Sequence, residues 1–170
     1  MRISSLIITN GEGTDTFTTK GPADSSRAGH IGSLEINNGI GNSVTEITDP
    51  LVDVEYLHVA AGTGYDTLKF GNTQIGTIIA DLHDGGSSTT FDRTILDGYF
   101  GGLFAFYGGS GNDQILLDGA AVYSGSVYID LAGGTDLVDF ATRGTNPFFG
   151  SLVIDGGAGN DTTINRPSSA

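Results

Sequence analysis

The sequence predicts an all-β chain wound as a parallel β-solenoid, of the β-helix or β-roll kind. Three observations carry that reading. A strand–turn–strand unit recurs at a near-regular period, glycine is concentrated at fixed places in the unit, and apolar residues alternate with polar ones on both sides of the turn.

The units begin at Ser5, Ser33, Tyr56, Leu103, Ser126 and Ser151. Each opens with a short strand whose second and fourth residues are apolar. These are Leu6 and Ile8, Leu34 and Ile36, Leu57 and Val59, Phe104 and Phe106, Val127 and Ile129, and Leu152 and Ile154. A period of two places each pair on one face. The turn that follows reads Gly-x-Gly-x-Asp or a close variant, in which glycine permits positive φ and close approach of backbones. A second alternating strand comes next, with Phe17, Leu68 and Phe70, Ile115 and Leu117, or Val138 and Phe140 on its inner face.

A looser unit spans Ile78 to Asp92 and is aligned by allowing one inserted residue. The starts are then roughly 28, 23, 22, 25, 23 and 25 residues apart. What remains of each unit holds a weaker third strand and another turn, as in Gly71 to Gly76, Gly119 to Gly125 and Thr145 to Gly150. One strand pair cannot bury its apolar face alone, whereas stacked copies share a continuous core. The expectation is about seven coils of roughly 23–28 residues, right-handed, with three short faces and no evident caps, forming a single domain over residues 1–170. Thr45 to Asp53 and Gly21 to Gly32 are expected to bulge from the stack as loops. An antiparallel sandwich also has short strands and glycine-rich turns, but nothing in it would place one turn motif after every other strand.

Composition narrows the function classes. Glycine, with 28 residues in 170, stands far above the usual ~7%, and only four residues are proline, so tight turns and not collagen explain it. Twenty acids against seven bases give a net charge of −13, and sixteen of the acids are Asp. Such a chain is repelled by nucleic acid and by anionic lipid. The acid excess then serves solubility or the binding of divalent cations. No cysteine is present, so neither a disulfide framework nor a thiolate metal site is expected. No run approaches the ~18 apolar residues of a membrane span. The opening stretch turns polar at Thr9 and Asn10, too early for a signal-peptide core.

The turns are the candidate site. Ca²⁺ takes 6–8 oxygen ligands and mixes carboxylates with backbone carbonyls, and a glycine-rich turn carrying one Asp offers both. In a solenoid the turns stack into a column, here Asp15, Ser43, Asp66, Ser88, Asp113, Asp136 and Asp161. Like charges stacked that closely are costly. Either cations fill the column or the Asp side chains point apart into water.

The motif resembles the nonapeptide repeat G-G-x-G-x-D-x-U-x of RTX (repeats-in-toxin) proteins. Gly108-Gly109-Ser110-Gly111-Asn112-Asp113-Gln114-Ile115-Leu116 matches at every fixed position. The turn from Gly156 through Gly157, Gly159 and Asp161 matches until Thr163, which replaces the large apolar residue. The turns ending at Asp15 and Asp66 open with Asn10 and Ala61, and the one ending at Asp136 has Leu131-Ala132 for the glycine pair. The resemblance implies a calcium-binding parallel β-roll, with ions best held near Asp113, Asp136 and Asp161. It covers the turns only, since RTX rolls place two nonapeptides in each 18-residue coil.

Other chemistry is thinly represented. His30, His58 and His83 are scattered with no HExxH pair, which argues against zinc. Parallel β-helices host polysaccharide lyases and epimerases, whose paired acids could here be Asp130 with Asp155, or Asp81, Asp84 and Asp92. The alternative for those acids is a solvated face that discourages sideways pairing. Aromatics gather between Tyr99 and Tyr107 and at Phe148-Phe149, as core filling or as an exposed contact patch.

The expected role is a non-enzymatic, secreted or cell-surface structural protein, stabilised by Ca²⁺ and stacking head to tail into a filament, matrix or surface layer. The alternative is a calcium-stabilised binding module of an adhesin or polysaccharide-active enzyme, with cell-surface polysaccharide as the partner.

Overall fold

The computed structural model describes residues 2–19, 29–49, 51–71, 73–85, 87–92, 95–96, 102–118, 122–123, 125–141 and 151–165. Every strand pair among them is parallel, and there is no helix. One sheet runs through β1 (Arg2–Thr9), β3 (Gly29–Asn37), β5 (Val52–Ala60), β7 (Gln74–Asp81), β10 (Leu103–Tyr107), β13 (Ser126–Asp130) and β16 (Leu152–Asp155). The opposite sheet runs through β2 (Asp15–Thr18), β4 (Ser43–Ile47), β6 (Asp66–Gly71), β8 (Ser87–Asp92), β11 (Asp113–Asp118), β15 (Leu137–Ala141) and β18 (Thr162–Ile164). Each coil gives one strand to each sheet, so the chain is a parallel β-solenoid.

The alternation read from the sequence sets the core. Leu34, Ile36, Leu57, Val59, Ile78, Phe104, Phe106 and Ile129 are fully buried on one wall, facing Leu68, Phe70, Ile115 and Val138 on the other. Burial of each such side chain contributes roughly 1.5–3 kcal/mol. A third wall is formed where Ile3, Ile31, Val54 and Ile75 pair in register, and β9 (Ile95–Leu96) and β12 (Val122–Tyr123) continue it. In β3, β5 and β7 this third segment runs straight into the first strand of the next coil.

Register is constant through the strand–turn–strand unit. Ser5 pairs with Ser33 and Asp15 with Ser43, and Tyr56 pairs with Thr77 as Asp66 does with Ser87. Coil length therefore varies only on the far side of the coil. The looser unit needs no insertion: it begins at Thr77, and Ser87, not Ser88, pairs with both Asp66 and Asp113. The doublet Gly85-Gly86 offers two ways to match Gly-x-Gly, and it is Gly85 that takes the turn's positive φ, at 153°.

Parts of two segments expected as loops belong to the stack. Thr45 and Ile47 lie fully buried in β4, Val52 opens β5, and Gly29 to Gly32 lie in β3. Residues 21–28, 99–101 and 145–150 lie outside the described residues.

Candidate functional site

Three aspartates of the column, Asp66, Asp113 and Asp136, face the interior. Asp66 precedes Leu68 and Phe70 by two and four residues, so the pleat that buries those side chains buries the carboxylate too. Asp113 and Asp136 stand two residues before Ile115 and Val138, and all three aspartates are no more than 2% exposed. Of the two expected outcomes, a turn into water is not what these three side chains do. They turn inward and bond to backbone.

The bonding has one polarity. Asp66 Oδ1 accepts the N–H of Ser43, one coil earlier, at 3.0 Å, and the Ser43 hydroxyl at 2.6 Å. Asp136 Oδ1 accepts the N–H of Asp113 at 2.8 Å, and Asp161 Oδ1 accepts that of Asp136 at 3.2 Å. Each carboxylate thus caps the amide of the preceding coil. One residue earlier in the turn the polarity reverses. Asn42 Oδ1 accepts the N–H of Tyr65 in the following coil at 2.9 Å, and Asn112 Oδ1 that of Thr135 at 2.8 Å. A side-chain chain feeds the first carboxylate: Asn10 Nδ2 donates to Asn38 Oδ1, Asn38 Nδ2 to Ser43 Oγ, and Ser43 Oγ to Asp66.

Burial has an electrostatic consequence. Desolvation pushes the Asp66 carboxyl above the ordinary 3.8, and the Ser43 hydroxyl and amide only partly offset it. Desolvation also raises Asp136; the Asp113 amide opposes this, while the hydrogen bond and charge of Asp161 add to it. Oδ2 of Asp66 and of Asp136 is buried and accepts no hydrogen bond. A buried anion with one oxygen unserved is costly unless a proton or a cation meets it.

The glycines have a packing role that requires no ligand. The carbonyl oxygens of Gly13, Gly41, Gly64, Gly111 and Gly134 lie against Gly41, Gly64, Gly85, Gly134 and Gly159 in the next coil, where a Cβ would collide. Gly109 and Gly157 rest in the same way on the carbonyls of His83 and Ala132. Gly108 and Gly156 lie under the carboxylates of Asp113 and Asp161, and a Cβ on Gly156 would stand 2.7 Å from Asp161 Oδ2. So the first glycine of the doublet makes room for the Asp of its own turn.

The column brings together Asp66, Asp113, Asp136 and Asp161 with Gly108, Gly109, Gly111, Gly157 and Gly159. Asp15 stands at the open end of the stack, half-buried, and its carboxylate has no hydrogen-bond partner among the described residues. Ser43 was expected in the column, but not its hydroxyl's bond to Asp66, nor the capping residues Asn38, Asn42 and Asn112. The recurrence of Asn directly before the column position, at Asn42, Asn112 and Asn160, was the signal available in the sequence.

Among the described residues no group of three or more His, Asp or Glu side chains is disposed to hold a metal. Any cation in the column would therefore draw one or two carboxylates and complete its shell from turn carbonyls, a mixture that suits Ca²⁺. The unserved Oδ2 atoms of Asp66 and Asp136 fit that use.

On the outer face, Asp130 and Asp155 are paired neighbours on adjacent coils, as the repeat predicts. Each binds its own backbone two residues on, Asp130 to the N–H of Ala132 at 3.1 Å and Asp155 to that of Gly157 at 3.0 Å. That geometry terminates the strand. Tyr107 and Tyr128 lie beside them with ring centroids 5.8 Å apart, while Phe104 and Phe106 fill the core.

Compared with known protein families, characterised proteins and solved structures, the chain matches none. The fold and the column define its class: a parallel β-solenoid with an inward ladder of aspartate caps and, beside it, asparagine caps on the exposed side of the turn.

Proposed function

We propose that the chain is an exported, calcium-stabilised structural protein that stacks end to end into an extracellular filament, matrix or surface layer. The observation that carries this is the grading of burial along the stack. Leu34, Ile36, Leu57 and Val59 are fully buried, while their counterparts Leu6, Ile8, Leu152 and Ile154 at the two ends are only partly so, as is Phe17. Among the described residues each end of the stack thus presents a cross-section of the core bordered by a strand edge with no pairing strand, and the two cross-sections follow one repeat. A contact between unlike ends does not close, so it grows a filament.

Calcium enters through the column. Charge there is buried, one oxygen of Asp66 and one of Asp136 is unserved, and the chain carries −13 overall. A cation would relieve both the desolvation and the repulsion between Asp136 and Asp161. Calorimetric titration with Ca²⁺ followed by imaging of the same sample tests the whole reading. Heat of binding at a few sites per chain, with filaments in calcium, is expected. A protein that takes up no calcium and stays monomeric at every concentration overturns it.

A second reading, a polysaccharide-binding module, is favoured by the Tyr107–Tyr128 pair beside Asp130 and Asp155. Retention of a stable monomer on a glycan array, lost on Tyr107→Ala, would select it.

A further inference from the structure

From the polarity of the ladder we infer that a second copy of this chain docks on the N-terminal coil through the turn column. In that junction Asp15 and Thr14 of one copy complete the two caps left open by Asp161 and Asn160 of the copy before it. The inference rests on the end-to-end reading above.

In three internal steps the column residue's amide reaches the carboxylate of the next coil, as Ser43 reaches Asp66, Asp113 reaches Asp136 and Asp136 reaches Asp161, whereas the Asp15 amide, facing Ser43, reaches the Asn42 carbonyl instead. The Asn before it accepts the next coil's amide, as Asn42 does from Tyr65 and Asn112 from Thr135. At the last coil, the Asp161 N–H and the Asn160 carboxamide have no following coil among the described residues. At the first coil, the Asp15 carboxylate and the Thr14 N–H have no preceding coil among the described residues. The ends are reciprocal, one acceptor and one donor each, in the order that the internal steps use.

Gly11 is the independent sign that a coil belongs there. Its counterparts Gly39, Gly62, Gly109 and Gly157 each lie hard against a carbonyl of the preceding coil. Gly11 meets nothing within 4 Å and has no left-handed φ. Within one chain nothing excludes a side chain at this position. It is shaped like a residue that another coil covers, and the carbonyl that would cover it in register is that of Gly157.

This separates assembly from folding. Gly11→Val should leave the melting temperature of dilute protein unchanged, because the added atoms stand in open space. It should raise the critical concentration for filament growth about tenfold or more. Its C-terminal end stays intact, so substoichiometric amounts should cap wild-type filaments at one end and shorten them. Asp15→Ala should raise the critical concentration too, and Asp15→Asn should largely restore it, since the amide oxygen still accepts the Asp161 N–H. Sedimentation and electron microscopy of wild type and the three variants, in calcium and in chelator, read all of this. If wild type assembles and Gly11→Val and Asp15→Ala assemble equally well, the junction is wrong while the assembly reading stands. If wild type stays monomeric throughout, both are wrong.

Discussion

Ser43→Ala tests whether the buried ladder holds the coils together. The Ser43 side chain is the middle link of a four-residue chain. It accepts from Asn38 at 2.7 Å and donates to Asp66 at 2.6 Å, with both Ser43 and Asp66 out of contact with water. A hydrogen bond to a charged group contributes about 1.5–3 kcal/mol. Deleting the hydroxyl leaves Asp66 Oδ1 with the Ser43 amide alone, and Oδ2 is unserved already. The half-buried Asn38 can turn its amide to water, so it adds little. The expected loss at neutral pH in chelator is about 1.5–3 kcal/mol. At the 2–4 °C per kcal/mol typical of chains of this length, that is roughly 3–12 °C in melting temperature. The loss should shrink in acid, because protonated Asp66 has no charge for the hydroxyl to stabilise. Melts followed by circular dichroism at pH 7 and in mild acid measure both numbers. A loss below about 0.5 kcal/mol at pH 7, or one that does not change with pH, would refute the reasoning.

The column should also make wild-type stability depend on pH in an unusual direction. The folded-state values of Asp66 and Asp136 lie above those of the unfolded chain, so their contribution is present in acid and lost as pH rises through the folded values. In chelator the melting temperature should therefore fall between acid and neutral pH, and calcium should restore it at neutral pH but add little in acid; a flat profile would remove the buried-charge argument. Gly134→Ala should destabilise by about 3 kcal/mol or more, combining a φ of 151° with a collision against the Gly111 carbonyl, and a variant that melts like wild type would count against the stacked-carbonyl account.

Much of the fold was legible because the pleat imposes a period of two. Leu34 with Ile36, and Phe104 with Phe106, could be placed on one face by counting, and no competing helical period obscured them. The same count, carried two residues back from Leu68, Ile115 and Val138, also places Asp66, Asp113 and Asp136 inside. Charge argued for an outward or metal-bound side chain and hid what parity already implied. The unit at Thr77 was harder, since Gly85-Gly86 matches the turn in two registers and His83 stands where other turns place glycine. His83 and Ala132 both adopt left-handed backbone, at φ of 46° and 56°. A rule that equates that conformation with glycine therefore fails at these two coils. Thr45 and Val52 were read as loop because polar neighbours break the apolar alternation. For Thr45, sheet pairing with Asp15–Thr18 and Asp66–Gly71 on either side overrides that local weakness, and Val52 is held by pairing with Gly29 in the other sheet.

The turn now has two explanations for each of its conserved-looking features within the repeat, and they differ in what they demand. Glycine at the third position of Gly-x-Gly-x-Asp is required by the carbonyl of the preceding coil whether or not a cation is present. Glycine directly before that motif, as at Gly108 and Gly156, is required only where a carboxylate folds back over its own turn; Ala61 and Leu131 stand there in the coils of Asp66 and Asp136. The aspartate itself is the residue that backbone capping explains least. Asparagine or serine would accept the preceding amide without burying a charge, and Ser43 occupies the position in one coil. Retaining Asp at 66, 113 and 136 costs desolvation that a neutral cap avoids. A charge kept at such a position is most simply accounted for by a cation that uses the second oxygen. On the proposed reading, the ladder supplies the geometry and a cation would supply the reason for the charge.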